Sequence, residues 1–225
     1  MFGFGKKKPT LKLLPKQEVE VEFENADGEF ESHFVNVLDV QKKRVCVSSP
    51  GSDRRPVRLV PGQQVTISAL MDDRLFSYSA SVLDSRDRDF DVQPPREVAE
   101  VEVPPRDDNF RIEVPIPVEY RAMRTAHTQV AQTHAITTNG LFLQTNLPIP
   151  PNTQLHMELE IPNAPDITAK GRAVASQVAR DNSRKHITEV EYEDIPEDNR
   201  TAIIRYAIYY RQRQKRKESR EGNGK

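Results

Sequence analysis

The sequence predicts a mainly β protein with two small antiparallel β-barrels, joined by a short linker and followed by a C-terminal α-helix. Short alternations of apolar and polar residues recur along most of the chain, and turn-forming residues separate them. The composition agrees, because 17 prolines, 9 glycines and no tryptophan in 225 residues favour short strands over long helices. Helical periodicity near the C terminus predicts the single helix.

The first barrel is predicted to span residues 10–95. Residues 19–23 alternate apolar and polar side chains, as a strand with one buried face does. Residues 25–28 follow with the sequence Asn-Ala-Asp-Gly, which favours a turn. The other short apolar runs, which are separated by turn-forming residues, occupy residues 34–40, 44–47, 57–60, 64–67 and 76–82. Such spacing is typical of a small barrel or sandwich.

A change in composition marks a linker or connecting strand, which we place at residues 96–105. The segment is rich in charge, and the proline pairs at 94–95 and 104–105 stiffen the backbone toward an extended conformation. The second barrel, with its closing helix, is then predicted to span residues 106–212. Its clearest extended segments alternate in the same way and occupy residues 112–120, 155–161 and 188–192.

The predicted helix begins near Pro196, a residue that the first turn of a helix tolerates. Ile204, Ala207 and Ile208 have the spacing of a buried helical stripe. The last residues, 213–225, are rich in arginine and lysine, and we predict that they form a basic flexible tail.

Charge and hydropathy exclude several classes of partner. Lys and Arg number 33 against 34 Asp and Glu, which gives a net charge of -1 and does not favour binding to nucleic acid. No apolar stretch approaches the roughly 20 residues of a membrane-spanning helix, so we expect no membrane insertion. The lysines at 6–8 follow the apolar residues instead of preceding them as in a signal peptide. We therefore expect a cytoplasmic protein.

No catalytic or metal-binding motif is present in the sequence. The five histidines lack metal-ligand spacing, and Cys46 is the only cysteine. Two carboxylate pairs, Asp107 with Asp108 and Glu191 with Glu193, are of the kind found at turns and strand edges. We therefore expect no catalytic residues, no metal, no cofactor and no enzymatic activity.

Two segments of the second half resemble a known family. Arg106 and Arg111 directly precede the extended segment at 112–120, and residues 135–140 read Ala-Ile-Thr-Thr-Asn-Gly. This arrangement resembles the PilZ domain, whose members bind the bacterial second messenger cyclic di-GMP. The C-terminal helical segment resembles the closing helix of that domain. The first half, with Leu-Pro at 14–15 and Arg-Leu-Val-Pro-Gly at 58–62, resembles the amino-terminal barrel of flagellar-brake PilZ proteins.

The resemblance implies cyclic di-GMP as the ligand and assigns five residues to its site. Arg111 would be the main contact to phosphate and guanine, because a guanidinium holds phosphate with two hydrogen bonds and stacks on bases. Arg106 would be a displaced second arginine. Thr137, Asn139 and Gly140 would shape the wall that faces a guanine.

The sequence also departs from the family pattern, which has RxxxR followed by [D/N]xSxxG. Asp107 stands at the position of the first arginine, and Ala135 replaces the acidic or amide residue, while Thr137 replaces the serine. Two functions therefore remain open. The first is a cyclic di-GMP effector that changes the orientation of its domains and a contact with the flagellar motor or polysaccharide machinery. The alternative is a protein-interaction module that does not bind the nucleotide.

Overall fold

The computed structural model describes residues 11–52, 55–71, 74–101, 103, 110–161, 167–180 and 184–223. The chain divides into two units, with the division after Val103. Each unit contains a closed antiparallel β-barrel of six strands, which confirms the predicted fold class. No helix within the described ranges is long and apolar enough to cross a membrane.

The first unit contains nine strands within its described residues. Its barrel has the strand order β6-β1-β2-β3-β8-β7 and closes through pairing of β6 with β7, while β9 adds to β7 and β4 pairs with β5. The strands are β1 (Glu18–Glu24), β2 (Phe30–Val40), β3 (Val45–Ser48), β4 (Gly51–Ser52), β5 (Arg55–Pro56), β6 (Gln64–Met71), β7 (Arg74–Ser85), β8 (Asp89–Val92) and β9 (Ala99–Val101).

The hairpin between β1 and β2 forms around the predicted turn. Val19, Val21 and Phe23 of β1 are buried in the barrel core. Glu20 and Glu22 are buried as well, so the expectation of a strand with only one buried face is wrong. The Asn25 side-chain oxygen accepts hydrogen bonds from the backbone N–H groups of Asp27 at 3.0 Å and Glu29 at 2.9 Å. Gly28 has a φ of 79°, a conformation that glycine adopts without strain. The predicted turn at residues 25–28 is therefore confirmed.

The segment predicted as a linker contains a strand. β9 pairs antiparallel with β7, and Leu75 lies opposite Val101. Three residues are too few for a periodic pattern, so the sequence alone indicated neither the bounds of this strand nor its partner. Residues 57–60, by contrast, form no strand, although their sequence is apolar. Pairing with a neighbouring strand, which depends on tertiary structure, decided both cases.

A buried carboxylate on β8 contacts two arginines beside the neighbouring strands, Arg44 just before β3 and Arg86 just after β7. Asp91 is only 5% exposed, and it accepts hydrogen bonds from Arg44 Nη1 at 2.7 Å and from Arg86 Nη2 at 3.1 Å. Burial raises the pKa of the Asp91 carboxyl, but the hydrogen bonds from Arg86 and Arg44 outweigh it and hold that pKa below its usual value. The ionised form of Asp91 therefore stabilises the folded barrel.

We expect Asp91→Asn to lower the free energy of unfolding by about 1–3 kcal/mol at neutral pH, because it removes a charge that two arginines contact. Since the folded-state pKa lies below the unfolded value of about 3.9, the stability from Asp91 is present above that pH. It is lost as the pH falls through the folded-state pKa. Urea unfolding at a series of pH values should therefore show the wild type and the variant converging in acid.

Asp87→Asn is the matched control for this experiment. Asp87 pairs with Arg58 at 2.9 Å, but both side chains are largely exposed, and exposed ion pairs contribute little. We expect a change below about 0.5 kcal/mol at neutral pH. Equal effects of the two substitutions would contradict the stabilising role of Asp91.

The second unit contains seven strands and one helix within its described residues. Its barrel has the strand order β12-β11-β14-β15-β16-β13, closed by pairing of β12 with β13, and β10 adds to β12. The elements are β10 (Arg111–Glu113), β11 (Pro117–Ala122), β12 (Gln129–Thr137), β13 (Gly140–Thr145), β14 (Gln154–Leu159), β15 (Ile167–Val178), β16 (His186–Asp194) and α1 (Glu197–Asn223).

The extended segment predicted at residues 112–120 forms two strands, β10 and β11, with one continuous buried face. Thr133 of β12 forms hydrogen bonds with the segment that connects these two strands. Its hydroxyl accepts a hydrogen bond from the Ile116 N–H at 2.8 Å and donates one to the Val114 carbonyl oxygen. These bonds lie beside a β-bulge between Thr133 and Ala135. The bulge shifts the register of β12 against β13, and beyond it Ala135 lies opposite Phe142.

Helix α1 confirms the predicted stripe and corrects the predicted tail. Ile204, Ala207 and Ile208 are buried, and the helix lies near β10 and β12. It continues to Asn223, so the residues expected to be flexible from 213 are helical up to that point. Arginine, lysine, glutamine and glutamate all favour the helix, and Lys217 lies 4.0 Å from Glu221 one turn later. A polar composition alone therefore did not indicate flexibility.

Candidate functional site

Four neighbouring strands of the second barrel bring the predicted site residues together. Arg111 on β10 lies opposite Thr137 on β12. Phe142 on β13 lies between Ala135 on β12 and Glu189 on β16. Residues directly opposite each other share a face of the sheet, and so do alternate residues of one strand. All five side chains therefore belong to the outer face, because the residues next to them along the strands, Ile112, Ile136, Leu143 and Val190, are buried in the barrel.

Arg111 stacks on an aromatic ring at the centre of this face. Its guanidinium carbon lies 4.1 Å from the centroid of the Phe142 ring, well within the range of a cation–π contact. The side chain is exposed, and it forms no ion pair with any residue in the described ranges. The stack holds the planar guanidinium at the exposed face of the sheet, and no described residue accepts a hydrogen bond from it.

A cleft of about 420 Å³ opens beside this stack. Thr137, Asn139 and Gly140 line one side of it, and Glu189 and Glu191 line another. The turn that carries Asn139 is anchored, because its carbonyl oxygen accepts a hydrogen bond from the Tyr192 N–H at 2.9 Å. The described lining residues therefore combine a guanidinium with hydroxyl, amide and carboxylate groups.

Gly140 has a structural role that does not depend on a ligand. A Cβ atom at this position would lie 2.1 Å from the carbonyl oxygen of Val190 on β16. No side chain can occupy that space while β13 and β16 remain paired. Glycine is therefore required for the strand pairing that forms the floor of the cleft.

The structure brings four of the five predicted site residues around one cleft, namely Arg111, Thr137, Asn139 and Gly140. The fifth, Arg106, lies outside the described residues, as does the neighbouring Asp107. The part that each residue plays in binding remains a prediction.

Two residues of the cleft were not predicted from the sequence. Phe142 is two residues after Gly140 on β13, so the alternation of a strand could have placed it on the same face as Gly140. Glu189 is the outward-facing residue between two buried positions of the segment predicted at 188–192. Glu191 and Glu193, considered above as a pair, both contact Arg172 at 3.3 Å. They are thus partners in exposed ion pairs, which are common at strand edges.

Two family models match the chain in its two units. The model of the flagellar protein YcgR matches residues 15–92, and the PilZ domain model matches residues 105–209. The chain belongs to the PilZ domain family. It has the two-domain form, because the amino-terminal match and the PilZ match each cover one barrel and together cover most of the sequence. The resemblance noted from the sequence is therefore confirmed.

Solved structures of other PilZ proteins are similar to this chain at low sequence identity. The Bacillus subtilis inhibitor of motility (MotI/DgrA) is 14% identical, with 89% of this chain and 99% of that chain covered and a TM-score of 0.41. The K. pneumonia MrkH–c-di-GMP complex is 15% identical, with 90% of each chain covered and a TM-score of 0.42. Escherichia coli YcgR in complex with c-di-GMP is 9% identical, with coverage of 92% and 88% and a TM-score of 0.37. No curated protein sequence matches the chain.

Proposed function

We propose that this PilZ protein binds cyclic di-GMP on the outer face of its second barrel, in the cleft beside Arg111. The observation that carries the proposal is the exposed guanidinium of Arg111, stacked on Phe142 at the edge of that cleft. Cyclic di-GMP presents two phosphates and two guanines. A planar guanidinium binds phosphate through paired hydrogen bonds, and it also stacks on a base.

The polar wall of the cleft supplies the other contacts. The Watson–Crick edge of guanine presents two N–H donors, which a carboxylate, hydroxyl or amide oxygen can accept. Thr137, Asn139 and Glu189 carry such oxygens. Arg106, which the family resemblance assigns to the site, adds a second guanidinium in this proposal.

We infer further that binding changes the orientation of the two units and thereby alters a protein contact. A ligand can shift such an equilibrium only by its difference in affinity for the two arrangements. Arg106, next to the predicted linker, is the residue through which bound nucleotide would act on orientation. The match to the YcgR family model favours an output in motility, and control of surface polysaccharide is the other output proposed.

A second function, a PilZ module that binds a protein without nucleotide, is supported by Ala135. This residue is fully buried opposite Phe142, and its methyl group offers no acceptor where the family pattern has an acid or amide. Glu189 also lines the cleft, and its negative charge would repel phosphate, whereas the charge of Glu191 is partly balanced by Arg172. The nucleotide must overcome both disadvantages for the first function to hold.

Calorimetric titration of the whole chain with cyclic di-GMP tests the proposal. We expect saturable binding in the micromolar range or tighter. GTP is the control ligand, because it has a guanine and phosphates but is not a cyclic dinucleotide. The absence of both heat and thermal stabilisation at high ligand concentration would refute nucleotide binding and favour the protein-interaction module. Small-angle scattering with and without ligand would then test the proposed change of orientation.

A further inference from the structure

A second cavity, of about 410 Å³, lies on the other side of the Arg111–Phe142 stack. It shares both of those residues with the cleft described above, so the stack stands between two cavities. The remaining polar lining comes from His134 on β12, Gln177 on β15 and Arg180 just beyond β15. None of these three residues belongs to the motifs that predicted the site.

Strand register explains why Arg180 reaches this place. Gln177 of β15 lies opposite Ile187 of β16. Ile187 is two residues before Glu189, which lies opposite Phe142. The N–H of Ala179 then donates to the Lys185 carbonyl oxygen at 2.8 Å, which holds the chain where β15 ends. Arg180 is exposed, and it forms no ion pair with a residue that the structure describes.

The two cavities differ in charge. Among the residues that the structure describes, the first cleft has one guanidinium and two carboxylates, from Glu189 and Glu191. The second has the guanidinium groups of Arg111 and Arg180 with the imidazole of His134, and none of its described lining residues carries a carboxylate. An anionic group is therefore favoured in the second cavity, and a group that donates hydrogen bonds is favoured in the first.

We propose that Arg180 and Arg111 together bind a phosphate of the dinucleotide in the second cavity. The inference rests on the proposed function, and it extends the site beyond the cleft at residues 137–140. Cyclic di-GMP has groups that suit both cavities, since its phosphates are anionic and its guanine edges donate hydrogen bonds. Arg180 supplies a second cation to the ligand, separate from Arg106.

The test is calorimetric titration of the full chain with cyclic di-GMP, comparing the wild type, Arg180→Ala and Arg124→Ala. Arg124 is an exposed arginine of the same unit, and it lines neither cavity. Its replacement therefore changes the net charge by the same amount as Arg180→Ala. We expect Arg180→Ala to weaken binding about 10- to 100-fold and Arg124→Ala to change it less than about twofold. Raising the salt concentration should weaken binding less in Arg180→Ala than in the wild type, because one charged contact is gone.

The outcomes separate this inference from the proposed function. If the wild type binds and Arg180→Ala binds equally well, the second cavity is not a phosphate site, while the proposed function stands. If Arg180→Ala and Arg124→Ala weaken binding to the same extent, the effect is one of general charge, and the inference is again wrong. If the wild type does not bind, the proposed function fails and this inference fails with it. Melting temperatures of all three proteins should agree, because both arginines are exposed.

Discussion

Replacing Arg111 by alanine should weaken binding of cyclic di-GMP by about 100-fold. The substitution removes charge-assisted hydrogen bonds, worth about 1.5–3 kcal/mol, together with the planar surface that stacks on Phe142 and would meet a guanine. The measurement is the dissociation constant from calorimetric titration of the full chain. The variant should remain folded, since the Arg111 side chain is exposed and an exposed cation–π contact contributes only about 0.5–1 kcal/mol.

Two further variants make the Arg111 result interpretable. Arg111→Lys keeps the charge but loses the planar arrangement of donors, so its affinity should lie between those of the wild type and Arg111→Ala. Arg124→Ala should bind like the wild type, because Arg124 lines no part of the cleft. Wild-type affinity in Arg111→Ala would place the nucleotide elsewhere on the chain.

We expect Gly140→Ala to lower the free energy of unfolding by about 3 kcal/mol. The added Cβ would lie 2.1 Å from the Val190 carbonyl oxygen and 3.0 Å from the carbonyl carbon. These are backbone atoms of a paired strand, so they can move only if the β13–β16 ladder is disturbed. Urea unfolding monitored by circular dichroism would measure the loss. Nucleotide binding should weaken as well, because the same strands form the floor of the cleft.

Gly222→Ala is the matched control for Gly140→Ala. A Cβ at Gly222 would meet no atom within 4 Å, and alanine is the better residue in a helix. Its stability should equal or slightly exceed that of the wild type. If Gly140→Ala were as stable as Gly222→Ala, the close approach of β13 to β16 would be absent from the protein in solution.

The fold was predictable where apolar and polar residues alternate along the chain. They do so in β1 and in the segment leading to Tyr120, and in both the apolar side chains face a barrel core, although Glu20 and Glu22 of β1 are buried as well. β15 was not predicted. It contains Gly171 and carries exposed valines at 174 and 178, so its sequence does not alternate cleanly. Its position between β14 and β16, and not its own pattern, makes it a strand.

The candidate site was predictable only in part, for a related reason. Arg111, Thr137, Asn139 and Gly140 were selected by resemblance to a family pattern, which joins two short stretches of sequence. Phe142 could have been inferred from alternation beyond Gly140. Glu189 and Arg180 could not, because their distance from Arg111 depends on how β16 pairs with β13 and β15.

The sequence by itself determined the class of fold, the division into two barrels, the C-terminal helix and the family, because these depend on local periodicity, turn residues and short motifs. Only the tertiary structure decided which outward-facing residues meet. Barrel closure brings together strands that are distant in the chain, and their register sets which side chains lie opposite one another. Arg111 therefore lies over Phe142, with carboxylates on one side and Arg180 on the other.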